Sequence, residues 1–283
     1  MSSNRSSPDD QGPAPLPEAL ATALASARPR LGRLGSPIIY FPVTGSTNDV
    51  AATLAIHDAN EGAVVIADTQ TAGRGRRGRE WFSPPGSGLY VSVVLRPGRS
   101  PCGGGDRATR LLTLAAGVAL VEAVRTATGL AVDVKWPNDL YIGRRKLAGI
   151  LAEAAGGELE DTVVLGYGIN VGAAAYPPEL RDSATSLESE LGRHVDRALL
   201  LVESLVGLAQ RYDDLLEGRF DAILDAWRAR APGSKGARVA WSGGAAASGA
   251  ASGVTAGIDD EGALLVLVGD RIERLVAGEV TWL

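Results

Sequence analysis

Four short segments carry side chains whose types and spacing suit work on a charged small molecule. The densest is ADTQTAGRGRRGREW, from Ala67 to Trp81. Its glycines, Gly73, Gly75 and Gly78, let the backbone approach a ligand closely and adopt positive φ. Arg74, Arg76, Arg77 and Arg79 add fixed charge and planar donors matched to phosphate. From these residues alone, a phosphorylated ligand and an RNA-binding Arg/Gly patch both stay open. A Walker loop is excluded, because no Gly-Lys-Ser/Thr follows the glycines. The second segment, KWPNDLYIGRRKLAG, runs from Lys135 to Gly149, with turns at Pro137 to Asp139 and at Gly143. These turns place Lys135, Asp139 and Lys146 near strand ends, where a lysine could neutralise an acyl phosphate and an aspartate could hold Mg²⁺ or orient the lysine. Solvated edge charges are the plainer alternative. The third, GYGIN from Gly166 to Asn170, permits close approach to a planar ring with Asn170 at a base edge, or is a plain turn. The fourth brings Ser46, Thr47 and Asn48 to a helix start, as caps or as partners of a polar ligand.

The elements that must position these groups alternate in period. Ile38 to Val43 is apolar and strand-like, Ser46 opens a helix through His57 with Asp49 in its first turn, and Val64 to Ala67 is a buried strand. Leu89 to Leu95 has strand character, and Ala108 to Thr128 has the length and Leu/Ala/Val content of a buried helix. Strand-like runs return at Val132 to Lys135, Leu147 to Ala152 and Val163 to Tyr167, and two helices near Asp196 to Leu216 and Arg219 to Ala231 close the unit. This predicts an α+β domain over 36–231, a mixed sheet flanked by helices. Beyond Pro232-Gly233 the helical period stops, and short strands near Arg238, Val254, Ala263, Ile272 and Glu279 predict a small barrel over 232–283. The Ala/Gly/Ser run Gly243 to Gly253 reads as a flexible hairpin loop. Residues 1–35 read as a loose tail, polar and proline-rich at first, with a short helix near Pro17 to Arg28.

Composition narrows the function classes. The 283 residues are 45% hydrophobic and 22% charged, enough to bury a core, and the net charge of −5 is the wrong sign for a surface that tracks a phosphate backbone. One cysteine, Cys102, excludes an internal disulfide and fits a reducing compartment. Two histidines leave little for a metal cluster. The apolar run Leu111 to Val124 is shorter than the ~20 residues of a membrane span, and no secretory signal is apparent, so a cytoplasmic protein is expected.

In order and spacing the four segments closely resemble the biotin protein ligases of bacterial type. The likeness covers about Ile38 to Leu283 and rests on GRGRRGREW and KWPNDLYIGRRKLAGIL, with TAGIDDEGALLV and GEV near the end. It implies a class II synthetase-like catalytic domain joined to an SH3-like barrel. It implies that biotin contacts Ser46, Thr47, Asn48, Gln70 and Gly149, and that Arg74, Gly75 and Arg76 lie in a loop that closes over biotin and its adenylate. Lys146 corresponds to the lysine at the acyl phosphate; Arg77, Arg79, Trp81, Lys135, Asn138 and Asn170 join the ATP side, and Asp139 lies near Mg²⁺. The implied reaction consumes ATP and biotin, and the implied partner is the biotin carboxyl carrier domain of acetyl-CoA carboxylase or a related carboxylase. The resemblance leaves monomer and homodimer both open. The stretch before Ile38 is short, polar and proline-rich, so the DNA-binding domain of some relatives is not expected. Two rivals remain. A lipoate ligase or octanoyl transferase shares the fold, but Cys102, the transferase's required thiol, sits in a Gly/Pro loop. A non-catalytic biotin- or RNA-binding module has no need of Asp139 and Lys146.

Overall fold

The computed structural model describes residues 12–56, 61–155, 161–173, 176–242 and 251–283. Its centre is a seven-stranded sheet with strands in the order β1-β2-β3-β7-β6-β5-β4. These are β1 (Ile38–Phe41), β2 (Val64–Ala67), β3 (Gly88–Leu95), β4 (Asp133–Lys135), β5 (Asp139–Ile142), β6 (Arg145–Ala154) and β7 (Val163–Asn170). Only β1 and β2 pair in parallel. Successive residues in a strand face opposite ways, and the sheet uses this to build two different faces. Leu165, Tyr167 and Ile169 of β7, with Leu89, Val91 and Val93 of β3, join the large core. Against that face pack α3 (Gly105–Thr128), α5 (Arg197–Leu216) and α6 (Phe220–Arg228). The alternate residues face the other way, where Ala51 and Ala55 of α2 (Thr47–Ile56) form a small core with Val65, Ala67, Val94 and Val164. That core covers only part of the face, and the uncovered part is a cleft.

Helix α3 is long and apolar enough to cross a membrane by those criteria alone, but 72% of its most apolar window is buried here against the protein. Capping elsewhere is conventional: Asp196 accepts the N–H groups of Ala198 and Leu199 at the start of α5. A short helix that the sequence pattern did not suggest, α4 (Leu187–Leu191), follows the cleft strands.

The assigned tail is too long. Helix α1 (Glu18–Ala27) buries Leu20, Leu24 and Ala27, one face at helical spacing, in the main core, and Leu31 and Leu34 are fully buried after it. Ala14 N–H donates to the Tyr40 carbonyl, adding a bridge at the edge of β1. Polar composition describes only the first residues of this stretch, and 1–11 lie outside the described residues, as does His57.

The second sheet is antiparallel, in the order β11-β10-β9-β8-β12, from β8 (Lys235–Ser242), β9 (Ala251–Ile258), β10 (Leu264–Val268), β11 (Arg271–Leu275) and β12 (Glu279–Trp282). It forms a small barrel-like domain around Val239, Trp241, Val266 and Val280. Of the expected hairpin loop, residues 243–250 lie outside the described residues, and Ala251 to Gly253 belong to β9. Trp136 donates its Nε1–H to the Gly262 carbonyl at 2.9 Å, which ties the two sheets together beside the cleft.

Candidate active site

Every residue assigned to the ligand site from the family resemblance lines one cavity of about 360 Å³ on the cleft face, from Ser46, Thr47 and Asn48 through Gln70 and the arginine loop to Lys135, Asn138, Asp139, Lys146, Gly149 and Asn170. The size is that of a small-molecule pocket. Its floor is made by register: Gly149 of β6 pairs with Gly168 of β7, and Leu151 pairs with Gly166. A Cβ on Gly168 would come 2.6 Å from Trp81 Nε1, and one on Gly149 would come 2.9 Å from the same ring. The glycines therefore exist to let an indole lie flat on the sheet. Trp81 Nε1 is buried and makes no hydrogen bond, an orphaned donor that invites a partner. Gly166 does the same for Asn48, whose amide lies where a side chain would be. GYGIN is thus strand rather than turn.

Opposite the floor, Gln70 organises the start of α2. Its Oε1 accepts the Thr47 N–H at 2.9 Å and lies 3.1 Å from the Thr47 hydroxyl, while its Nε2 donates to Ser83 Oγ at 3.2 Å. A side chain from a distant loop thereby satisfies a first-turn donor. Asp49 in that turn pairs with Arg74 at 2.6 Å, and this hydrogen bond holds the Arg74 guanidinium above its ordinary pKa despite burial.

The charged end lies across the cavity. Lys146 Nζ is 2.7 Å from Asp139 Oδ1, an ion pair by distance though out of line for a hydrogen bond, and 5.3 Å from the Trp81 ring centroid. Two backbone hydrogen bonds, Lys146 N–H to Ser183 and Thr185 N–H to Lys146, fix the strand beneath it. Arg76 Nη1 reaches Asn138 Oδ1 at 3.3 Å and the Gly278 carbonyl at 3.2 Å. Burial lowers the Arg76 pKa, and attraction to Asp139 partly offsets it. Lys135 lies beside both the Tyr141 and Trp282 rings, 4.9 and 4.7 Å from their centroids, and its pKa is lowered in the same way by burial. Asn170 donates to the Thr185 carbonyl at 3.0 Å at the far end of β7.

The geometry of the arginine loop corrects the expected use of glycine. Gly75 is extended; the left-handed positions are Gly78, at φ 72°, and Arg77, at φ 60°, the one non-glycine residue of that kind among the described residues. Arg77 is held there by the Ser242 carbonyl at 3.3 Å and Arg79 by an ion pair with Glu279. Both anchors belong to the small domain.

The sequence reading missed Gly278, Glu279 and Val280, which line the cavity from that second domain, and Glu153, which pairs with both Arg74 and Asn48. Strand alternation from Gly149 would have found Glu153, four residues on along the same face. The other three are the GEV motif, which the sequence reading took as a mark of family likeness without placing it in the site. For a divalent cation the described residues offer no cluster of three acidic, His or Cys groups. Asp139 beside Asn138 is a single hard-oxygen position, which fits Mg²⁺ only as a partner of phosphate oxygens brought by a ligand. Cys102 is exposed and lines no part of the cavity.

Comparison with known proteins agrees with this geometry. Residues 40–170 match the biotin/lipoate A/B protein ligase family. The chain is 38% identical over 253 residues to the bifunctional ligase/repressor BirA of Bacillus subtilis, covering 87% of this chain and 74% of that protein. It is 37% identical to the biotin–[acetyl-CoA-carboxylase] ligase of Mycobacterium tuberculosis, over 85% of this chain and 86% of the relative. The structure of the Aquifex aeolicus biotin protein ligase in complex with biotin and ATP superposes with a TM-score of 0.71 at 28% identity, covering 87% of this chain and 97% of that one. A glycine-floored cleft with a lysine and an arginine loop at one end, on a chain this similar over most of its length, makes the protein a member of the biotin protein ligase family.

Proposed function

We infer that the chain is an ATP-dependent ligase that activates biotin as its adenylate and transfers it to a lysine of a biotin carboxyl carrier domain. One observation carries this reading: Lys146, beside Asp139, and Arg76, beside Asn138, line one cavity whose floor accepts a flat ring. Thr47 and Gln70 lie at the other end, suited to a polar ring head. In the first step the biotin carboxylate attacks the α-phosphorus of ATP and pyrophosphate leaves. In the second the acceptor amine attacks the acyl carbon of the mixed anhydride and AMP leaves. Lys146 and Arg76 offset the negative charge that builds on the phosphoryl oxygens, the type of preorganised stabilisation that supplies most rate enhancement. Asp139 orients Lys146 and, with Asn138, would hold Mg²⁺ when it arrives with ATP, where the ion neutralises triphosphate charge. Asn170 and Trp81 serve the adenine, with Lys135, Arg77 and Arg79 adding positive charge around the nucleotide. Arg74, Gly75 and Arg76 close over the intermediate and keep water from it. The acidic net charge supports a ligase that does not bind DNA.

The test is to incubate the protein with ATP, Mg²⁺, biotin and a carboxyl carrier domain and weigh the carrier by mass spectrometry. The expected product is carrier heavier by one biotinyl group, dependent on ATP. An unmodified carrier, with no biotin-dependent exchange of pyrophosphate into ATP, overturns the reading.

A further inference from the structure

Of the chain's 28 cationic side chains only Lys135, Lys146 and Lys235 are lysines, and the first two line the cavity. They are held in different ways. Lys146 has a carboxylate partner in Asp139. Lys135 has none: among the described residues its ammonium makes neither an ion pair nor a hydrogen bond, and two aromatic rings lie beside it instead. Its Nζ is 4.9 Å from the Tyr141 centroid and 4.7 Å from the Trp282 centroid, and the rings meet edge to face at 5.2 Å, so the three centres form a nearly equilateral triangle. Tyr141 reaches this place by register, since it pairs with Asp133 and stands one diagonal step from Lys135 across the β4–β5 hairpin.

Trp282 comes from the small domain and lines no part of the cavity. Its backbone is fixed by pairing with Val239 of β8, and its indole lies so close to Gly233 that a Cβ there would come 2.9 Å from Cζ2. The ring is thus set by the structure of its own domain, whereas the Lys135 ammonium ends a flexible four-carbon stem. The rigid group positions the mobile one. Aromatic faces attract a cation through the ring quadrupole, but they neither neutralise it nor occupy its three N–H donors. A carboxylate would do both. The two rings therefore fix where the ammonium sits and leave its charge and its donors for an anion in the cavity that Arg76 and Lys146 also line.

We propose that Trp282 is a positioning residue for ATP, one that with Tyr141 holds the otherwise unpartnered Lys135 ammonium for the triphosphate, so that the small domain sets the affinity for the nucleotide. The inference rests on the ligase reading of this cavity and adds a residue outside it on which nucleotide binding depends. Lys135 meets phosphate oxygens before the reaction as well as during it, so weakening its hold raises KM for ATP and leaves kcat nearly unchanged.

The experiment measures biotin-dependent exchange of pyrophosphate into ATP by the full chain, with ATP and biotin varied in turn. Lys135→Met should raise KM for ATP about 10-fold and leave kcat within about 2-fold. Trp282→Leu keeps an apolar side chain but loses the ring, and should raise KM for ATP about 5-fold with KM for biotin unmoved. Trp282→Phe restores an aromatic face and should recover most of that loss. Combined with Lys135→Met, Trp282→Leu should add nothing further, because the two side chains act as one unit. If Trp282→Phe and Trp282→Leu behave alike, if the effects of Lys135→Met and Trp282→Leu add, or if KM for biotin rises with KM for ATP, Trp282 only packs the domains together and the inference fails. A normal KM for ATP in Lys135→Met sinks it as well, and that variant still decides if Trp282→Leu does not fold. No biotin-dependent exchange by the intact chain would bring down the functional reading and the inference with it.

Discussion

The floor of the cavity and the arginine loop above it are held by different physics. Floor groups stand on β3, β6 and β7, where each position is set by the strand ladder and where β3 and β7 are buried along their whole length. The loop instead depends on guanidinium contacts to Ser242 and Gly278, which lie 165 and 202 residues away in sequence, and on the exposed Arg79–Glu279 pair. Exposed ion pairs contribute at most ~1 kcal/mol, whereas a packed sheet yields only at a cost of several side chains moving together. The floor is thus preorganised, and the loop is poised to exchange its anchors for a ligand.

That contrast can be broken from either side. The largest effect is expected from Lys146→Ala, which should reduce biotin-dependent pyrophosphate exchange by about 1000-fold or more; exchange at the normal rate would remove Lys146 from the chemistry. Next comes Gly168→Val. The new side chain must expel Trp81 from the floor, and ATP affinity by calorimetry should fall about 100-fold with little change in melting temperature. A large loss of thermal stability instead would mean that the Trp81 contact is part of the fold rather than of the site. On the loop, Arg76→Ala should speed release of the adenylate by about 10- to 100-fold, read by stopped-flow, while the sheet stays intact. Glu279→Gln frees Arg79 only, so a change of a few-fold in the same off-rate is expected; an effect as large as that of Arg76→Ala would make the second domain a full part of the active site.

The smallest effect concerns the domain that anchors the loop. Burial raises the Asp259 pKa, but hydrogen bonds from Arg274 and from the N–H groups of Ala263 and Glu261 overcome this and hold it below the usual carboxylate range. Its stabilising contribution is therefore complete above the ordinary aspartate range and is lost as pH falls through and below it. Asp259→Asn should flatten the acid limb of a melting-temperature profile, and an unchanged limb would show that Asp259 is not linked to stability.

Much of this was legible in the residues themselves. Short continuous apolar runs marked the central strands, length with Leu/Ala/Val content marked α3, and the clustering of glycine with arginine marked the loop. The fixed charges and the glycines that admit Trp81 and Asn48 follow from residue type, a property carried by the chain before it folds. Three things did not. Composition suggested a tail where Leu20, Leu24, Leu31 and Leu34 pack, because a sparse apolar face gains meaning only once α5 lies beside it. Spacing could not tell that Arg77 rather than Gly75 would turn left-handed, since that depends on a carbonyl from the other domain. Nor could it bring the Trp282 ring to Lys135, because that contact joins two domains. Residue types determined which chemistry was available, and the tertiary fold decided which way each group faces, because only folding brings Lys135, Tyr141 and Trp282 to the same few ångströms.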